Sequence, residues 1–251
     1  MSSPELRWAG PEIGVTTGGA VDTVDVSRTA RAVAAVLRSQ RIDGPARIRL
    51  STTPSRDGSV LAQVNAGRAA EAVRVQVEGP AGFVATIASE RLDRAISRSR
   101  PAGPVRRWPD PARPPLTSIT GDRPIVRRKC CVLRSADPTT ATRSMDALDY
   151  DAHLFVDAES GEDALVYWAG PLGVRLARQH LTRLPDGPVL TVNPHPAPRL
   201  TESDAANRVC RFGLPYVFFT DADSGRGHLL YRRYDGDLAI VQPVHDPEDR
   251  S

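Results

Sequence analysis

Cysteine is scarce in this chain and poorly placed for chemistry: there are three in 251 residues, and two of them, Cys130 and Cys131, are neighbours. That excludes a disulfide framework and leaves no metal-ligand spacing, so a reducing cytoplasm is the expected compartment. Lysine is almost missing, with Lys129 alone among 33 basic residues. Such a bias follows a GC-rich genome, so arginine abundance says little and only arginine placement carries information. No run approaches the roughly 20 apolar residues that span a bilayer. The opening MSSPELRWAG lacks the apolar core of a signal peptide. His153, His180, His195, His228 and His245 are scattered, with no HExxH pair. GxSxG, P-loop and Rossmann fingerprints are missing too. No catalytic residue, metal, cofactor, small-molecule substrate or membrane partner is therefore expected.

What is present is a duplication. Leu154-Phe155-Val156-Asp157-Ala158-Glu159-Ser160-Gly161 aligns without a gap on Phe218-Phe219-Thr220-Asp221-Ala222-Asp223-Ser224-Gly225, and the same offset matches Pro124 to Pro188, Ala141 to Ala205, Leu165 to Leu229 and Tyr167 to Tyr231. Residues 124–187 and 188–251 are thus two copies of one small module. A module this short buries little alone, so two copies in one chain are expected to pack on each other. Each reads strand, helix, hairpin. In the second copy, Thr201 to Asp204 offers helix caps, Gly213 ends the helix, and strands cover Tyr216 to Thr220, His228 to Tyr234 and Leu238 to Val241. The Glu159-Ser160-Gly161 and Asp223-Ser224-Gly225 turns lack the alternating ligands of a calcium loop and read as hairpin turns.

Residues 1–100 read β-α-β-β-β-α. A strand at Ile13 to Thr17 leads to a helix that Asp25 can cap, with Ala30, Val33, Val36 and Leu37 on one face. Ala46-Arg47-Ile48-Arg49-Leu50 alternates apolar and basic faces. Asp57-Gly58 turns into Val60 to Val64, and Ala72 to Val77 alternates again. A last helix, about Gly82 to Ser99, carries Val84, Ile87, Ala88, Leu92, Ala95 and Ile96 inward. Two helices on one face of a four-stranded sheet satisfy every apolar stripe. Residues 101–123 carry prolines from Pro101 to Pro115, with Pro124 following, and read as a semi-rigid linker. The fold class is α+β throughout: this sheet domain, the linker, and two tandem repeats forming a pseudo-dimer.

Charge is uneven along the chain. Residues 1–100 hold 14 Arg against 10 Asp and Glu, and residues 101–123 hold 4 against 2. The first copy has 8 basic and 9 acidic residues, and the second 7 and 9. The positive field sits in the N-terminal half, where a polyanion would bind. Arg91, Arg94 and Arg98 fall at i, i+3 and i+7, reading as a solvent-facing stripe, and Arg28, Arg31 and Arg38 lie to one side of the first helix's apolar stripe. Arg47 and Arg49 supply the basic face of a strand. Ordinary solvated helix faces are the bland alternative, and Glu90 and Asp93 dilute the stripe.

The second copy, with its helix, its YVFFTDADSG hairpin and its YRRYDGDLAIVQP ending, resembles the C-terminal domain of long-form ribosome hibernation-promoting factors. The family motif falls on Tyr231, Arg232, Arg233, Asp235 and Gly236. The first copy, HLFVDAESGEDALVYW, looks like a diverged version, its ending Trp168-Ala169-Gly170-Pro171-Leu172-Gly173 having lost the YRRxDG pattern. The N-terminal element order is similar to the family's ribosome-binding domain. The duplicated tail and arginine-rich composition resemble the actinobacterial, dormancy-associated branch. The resemblance implies a domain lodged between head and body of the 30S subunit, over the messenger and transfer RNA sites, that stops translation and protects idle 70S ribosomes. Arg28, Arg31, Arg38, Arg47, Arg49, Arg91, Arg94 and Arg98 would then face ribosomal RNA.

Family members usually carry one C-terminal domain and pair ribosomes through it. A covalent second copy has an effective concentration in the millimolar range and should outcompete another chain. The expectation is an internal pseudo-dimer using Phe155, Tyr167, Phe219 and Tyr231, and single silenced ribosomes. Two rivals stand beside it: chain-to-chain pairing that joins ribosomes, and a stress-regulatory protein-binding module that does not bind them.

Overall fold

The computed structural model describes residues 12–52, 58–67, 72–99, 106, 108–111, 113–119, 121–180 and 190–244. Asp57, Pro101, Pro104, Pro188 and His245 lie outside them. The chain divides into two compact units. The first comprises Met1–Val105, Asp110–Pro114 and Asp146–Tyr150; the second comprises Arg106–Pro109, Pro115–Met145 and Asp151–Ser251.

In the first unit, β1 (Ile13–Gly18) runs parallel to β2 (Ala46–Thr52), with α1 (Thr23–Ser39) as the crossover. β3 (Ser59–Ala66) and β4 (Val73–Pro80) continue the sheet antiparallel in the order β1-β2-β3-β4, and α2 (Val84–Ser99) follows. This is the β-α-β-β-β-α sheet read from the periodicities. Alternation along the strands sends Ile48, Leu50, Val64 and Val75 into one core with Val33, Leu37, Ala88 and Leu92 of the helices. The cap of α1 differs from the expectation. Asp22 is the N-cap, accepting from Val24 N, one turn before Asp25. Asp25 is buried and accepts from Gly82 N at 2.9 Å, tying the start of α1 to the turn before α2.

The second unit contains most of both copies, Asp146–Tyr150 of the first copy being grouped with the first unit. The first contributes β5 (Ile125–Cys131), β6 (Ser135–Ala136), α3 (Pro138–Ala147), β7 (Ala152–Asp157), β8 (Asp163–Trp168) and β9 (Val174–Arg178). The second contributes β10 (Thr191–Val192), β11 (Arg199–Leu200), α4 (Glu202–Phe212), β12 (Tyr216–Asp221), β13 (Gly227–Arg232) and β14 (Leu238–Pro243). The hairpins β7–β8 and β12–β13 begin 64 residues apart, as the alignment requires. Asp137 caps α3 by accepting from Thr139 N and Thr140 N. Thr201 caps α4 by accepting from Asp204 N, and Gly213 closes it at φ 61°, a left-handed position that suits glycine.

The sheets differ from three-stranded copies in one respect. Their orders are β10-β9-β8-β7-β6 and β11-β12-β13-β14-β5. β5, written in the first copy, pairs parallel with β14 of the second, and β10, written in the second, pairs parallel with β9 of the first. The copies have exchanged their opening strands. Periodicity within a strand fixes which face is buried, and it carries no record of which neighbour supplies the hydrogen bonds.

Candidate functional site

The predicted arginines fall in three environments. Arg28, Arg31 and Arg38 on α1, and Arg94 and Arg98 on α2, are exposed on the helix side of the sheet. Two of these fold back on their own helix, Arg31 Nε donating to Ser27 O and Arg94 Nε to Glu90 O, each at 3.2 Å. Arg98 lies 3.8 Å from Asp110. Arg47 and Arg49 alternate with the buried Ile48 and Leu50, so they project from the opposite, helix-free face. Their cross-strand neighbours there are Gly14, Thr16, Asn65 and Gln63, none of them acidic. Among the described residues, Arg28, Arg38, Arg47 and Arg49 have no hydrogen-bonded or ionic partner.

Arg91 departs from the expectation. It is 2% exposed and faces inward. Its guanidinium donates to Gln76 O, forms two bonds to the Asp149 carboxylate at 3.0 and 3.1 Å, and lies 3.7 Å from Asp110. Asp149 also accepts from Gln76 N at 3.0 Å and lies 3.1 Å from Arg113 Nε. Gln76 sits on β4, the last strand of the sheet, so this network satisfies backbone groups that an edge strand leaves open. Burial raises the Asp149 carboxyl, and Arg113 and Arg91 oppose the rise. The cause was visible in the spacing: Arg91 stands three residues after Ala88 and four before Ala95, on the core stripe. Arg91 is a structural cation and cannot reach RNA phosphate.

The second unit holds an apolar interface between the two copies. Ala152, Leu154, Leu165 and Ala177 of the first pack with Phe218 and Leu229 of the second, and Tyr167, Tyr216 and Tyr231 border them. The rings of Tyr167 and Tyr216 meet edge-on at 5.9 Å. Burial pushes the Tyr216 phenol well above its ordinary pKa. Lys129 Nζ sits 5.0 Å over the Tyr231 ring. Phe155 and Phe219 do not take part as expected. Phe219 is buried with Ala205 and Val209 of α4, and Phe155 is buried on the face opposite Leu154. The phase is one residue off: both faces of these strands are apolar, so alternation does not say which one meets the helix.

The polar part of this interface leaves no periodic mark in the sequence. Asp163, 3% exposed, accepts from Arg226 Nε at 2.7 Å, Arg226 Nη2 at 2.9 Å and Gly227 N at 2.7 Å. The bond to Asp163 raises the Arg226 pKa. Gln179 accepts from Asp163 N and donates to Thr220 Oγ1 and Gly225 O, another link between copies. The one available signal was mismatch at the 64-residue offset, where Asp163 aligns with Gly227 and Glu162 with Arg226.

The segment Tyr231–Gly236 builds a turn. Arg233 binds Asp235 through Nε at 3.1 Å and Nη2 at 2.7 Å, Gly236 N donates to Arg233 O, and Gly236 takes φ 89°. Thr117 Oγ1 donates to Tyr234 O at 2.6 Å, so the end of the proline-rich segment is fastened to this turn. Among the described residues no His, Cys, Asp and Glu group could hold a metal, and no helix is long and apolar enough to cross a membrane.

The chain is a modular α+β protein: an arginine-bearing sheet domain and a duplicated, strand-exchanged module. Residues 121–176 match the family model described as Sigma 54 modulation/S30EA ribosomal protein C terminus. Two relatives, each called dormancy associated translation inhibitor, from Mycobacterium tuberculosis strains CDC 1551/Oshkosh and ATCC 25618/H37Rv, are 44% identical over 246 residues, covering 94% of this chain and 90% of theirs. The crystal structure of the Thermus thermophilus Protein Y N-terminal domain matches 36% of this chain and 99% of that one, at 19% identity and TM-score 0.29. The chain belongs to the long-form ribosome hibernation-promoting factor family, in its dormancy-associated branch. That family is not a class of enzymes.

Proposed function

We propose that this protein binds the small ribosomal subunit at the messenger and transfer RNA sites, stops translation there, and protects idle 70S ribosomes under stress or dormancy without joining them in pairs. The observation that carries this reading is a set of arginines with no hydrogen-bonded or ionic partner among the described residues, on opposite sides of the first unit: Arg28 and Arg38 on the helix side, Arg47 and Arg49 on the opposite sheet face. Phosphate contacts supply the sequence-independent share of nucleic-acid affinity. A body with exposed arginines on two opposite faces suits a cleft walled by RNA better than a flat surface. The name of the 44%-identical relatives agrees with translation as the target.

The second unit supports the reading that ribosomes stay single. Each copy's apolar sheet face is buried against the other copy, and a tethered partner outcompetes a free one at ordinary protein concentrations. Co-sedimentation with vacant 70S ribosomes over a range of salt tests the RNA contacts. Arg28→Glu with Arg38→Glu, and separately Arg47→Glu with Arg49→Glu, should each weaken binding by roughly tenfold or more. Each should also flatten the salt dependence by about one unit of slope per lost phosphate contact. Binding indifferent to salt and to both pairs would hand the protein to the stress-regulatory, protein-binding reading.

A further inference from the structure

The two copies touch at counterpart positions that carry different residues. Asp163 opens β8, and Gly227, 64 positions later, opens β13. In a pair of identical modules, counterpart residues in contact lie on the two-fold axis, where each residue meets itself. Here a carboxylate meets a glycine. Gly227 N donates to Asp163 at 2.7 Å, and a Cβ on Gly227 would stand 2.6 Å from the Asp163 Cβ and 2.9 Å from Phe218 Cε2. The second copy can carry no side chain at this point while the first carries one.

Each alternative pairing is worse. Two first copies would bring two Asp163 carboxylates together, each beside Glu162, with no arginine between them. Two second copies would set Gly227 against Gly227 and leave both Arg226 guanidinia without the carboxylate they bind at 2.7 Å. The apolar border is unequal in the same sense. Tyr216 lies against Tyr167 at 5.9 Å, while its counterpart Ala152 brings no ring to Tyr231.

We infer that Asp163, Arg226 and Gly227 form a copy-recognition lock, which makes the first module accept the second and reject another of its own kind. The partner fitted to each copy's apolar sheet face is its covalent sibling, so neither copy remains a self-pairing element. This inference rests on the internal pairing proposed above, and it names the residues that make that pairing selective. The lock is blind to which chain supplies the sibling; the tether decides that.

The test uses the full chain, with thermal unfolding and sedimentation velocity run on the same samples. The wild-type protein should sediment as a monomer. Gly227→Asp should lower the melting temperature by on the order of 5 °C or more and promote self-association. Asp163→Gly should cost less. The double variant should recover at least half of the Gly227→Asp loss and return to monomer. Should Gly227→Asp fail to fold, Gly227→Ala takes its place, and alanine should then cost less beside Gly at 163 than beside Asp163. Strictly additive losses in a monomeric wild-type background, or an unchanged Gly227→Asp, overturn the lock and leave internal pairing standing. A wild-type protein that is itself a dimer through these faces overturns both.

Discussion

At the scale of single residues, chemistry of one type serves two ends, and burial decides which. Arg91 and Arg94 are three residues apart on one helix, yet Arg91 is 2% exposed within a network of Asp149, Asp110 and Gln76 O while Arg94 faces solvent. Removing one member of a buried ion pair strands its partner at a cost of about 3–5 kcal/mol, whereas an exposed arginine contributes about 0–1 kcal/mol. Arg91→Ala should therefore lower stability to urea markedly and Arg94→Ala hardly at all; equal effects would mean that the Asp149 network holds nothing together. His153 makes a second residue-scale prediction. Burial, and then the charge of Arg134, hold its imidazole down to about 4. The unfolded chain takes up that proton near 6.5 and the folded chain only near 4, so the unfolded state gains as pH falls between those values. Stability should be full above about pH 6.5 and decline toward pH 4. His153→Gln should make that decline shallower in urea titrations at pH 7.5 and 5, and an unaltered slope would clear His153 of responsibility.

At the scale of elements, the exchange of β5 and β10 joins the copies through backbone as well as side chains. β5 pairs with β14 over Leu238–Pro243, and β10 pairs with β9. Native-state hydrogen exchange should show β5 amides opening together with β14, although over a hundred residues separate them in sequence. Protection of β5 that follows β9 of its own copy would contradict the exchange. Much of the element content was legible beforehand: the alternation of Ala46 to Leu50 and of Val73 to Val77, the caps at Thr201 and Gly213, and the four-stranded sheet under two helices. Three things were not. The N-cap falls on Asp22 because its carboxylate reaches Val24 N, while Asp25, three residues on, spends its own on Gly82 N. Alternation does not choose the interface face of β7 and β12, because Leu154 and Phe218 are as apolar as Phe155 and Phe219 beside them. The exchanged strands were invisible because Arg127-Arg128-Lys129 shows no alternation and pairing partners leave no local mark.

At the scale of the whole molecule, the arginine-bearing sheet falls in one compact unit and most of the duplicated module in the other. The duplication was legible from its 64-residue offset, and the place where the two copies differ, Asp163 against Gly227, carries as much information as the places where they agree. In the lock proposed above, the difference at this contact suits each copy to its sibling and not to its like. A factor so built should occupy a ribosome and leave that ribosome single. The most direct test is a sucrose gradient of vacant ribosomes mixed with the full-length protein, each fraction probed for the protein. Co-migration with single 70S particles and no growth of a ribosome-dimer peak is the expected result; abundant dimers carrying the protein would contradict internal pairing.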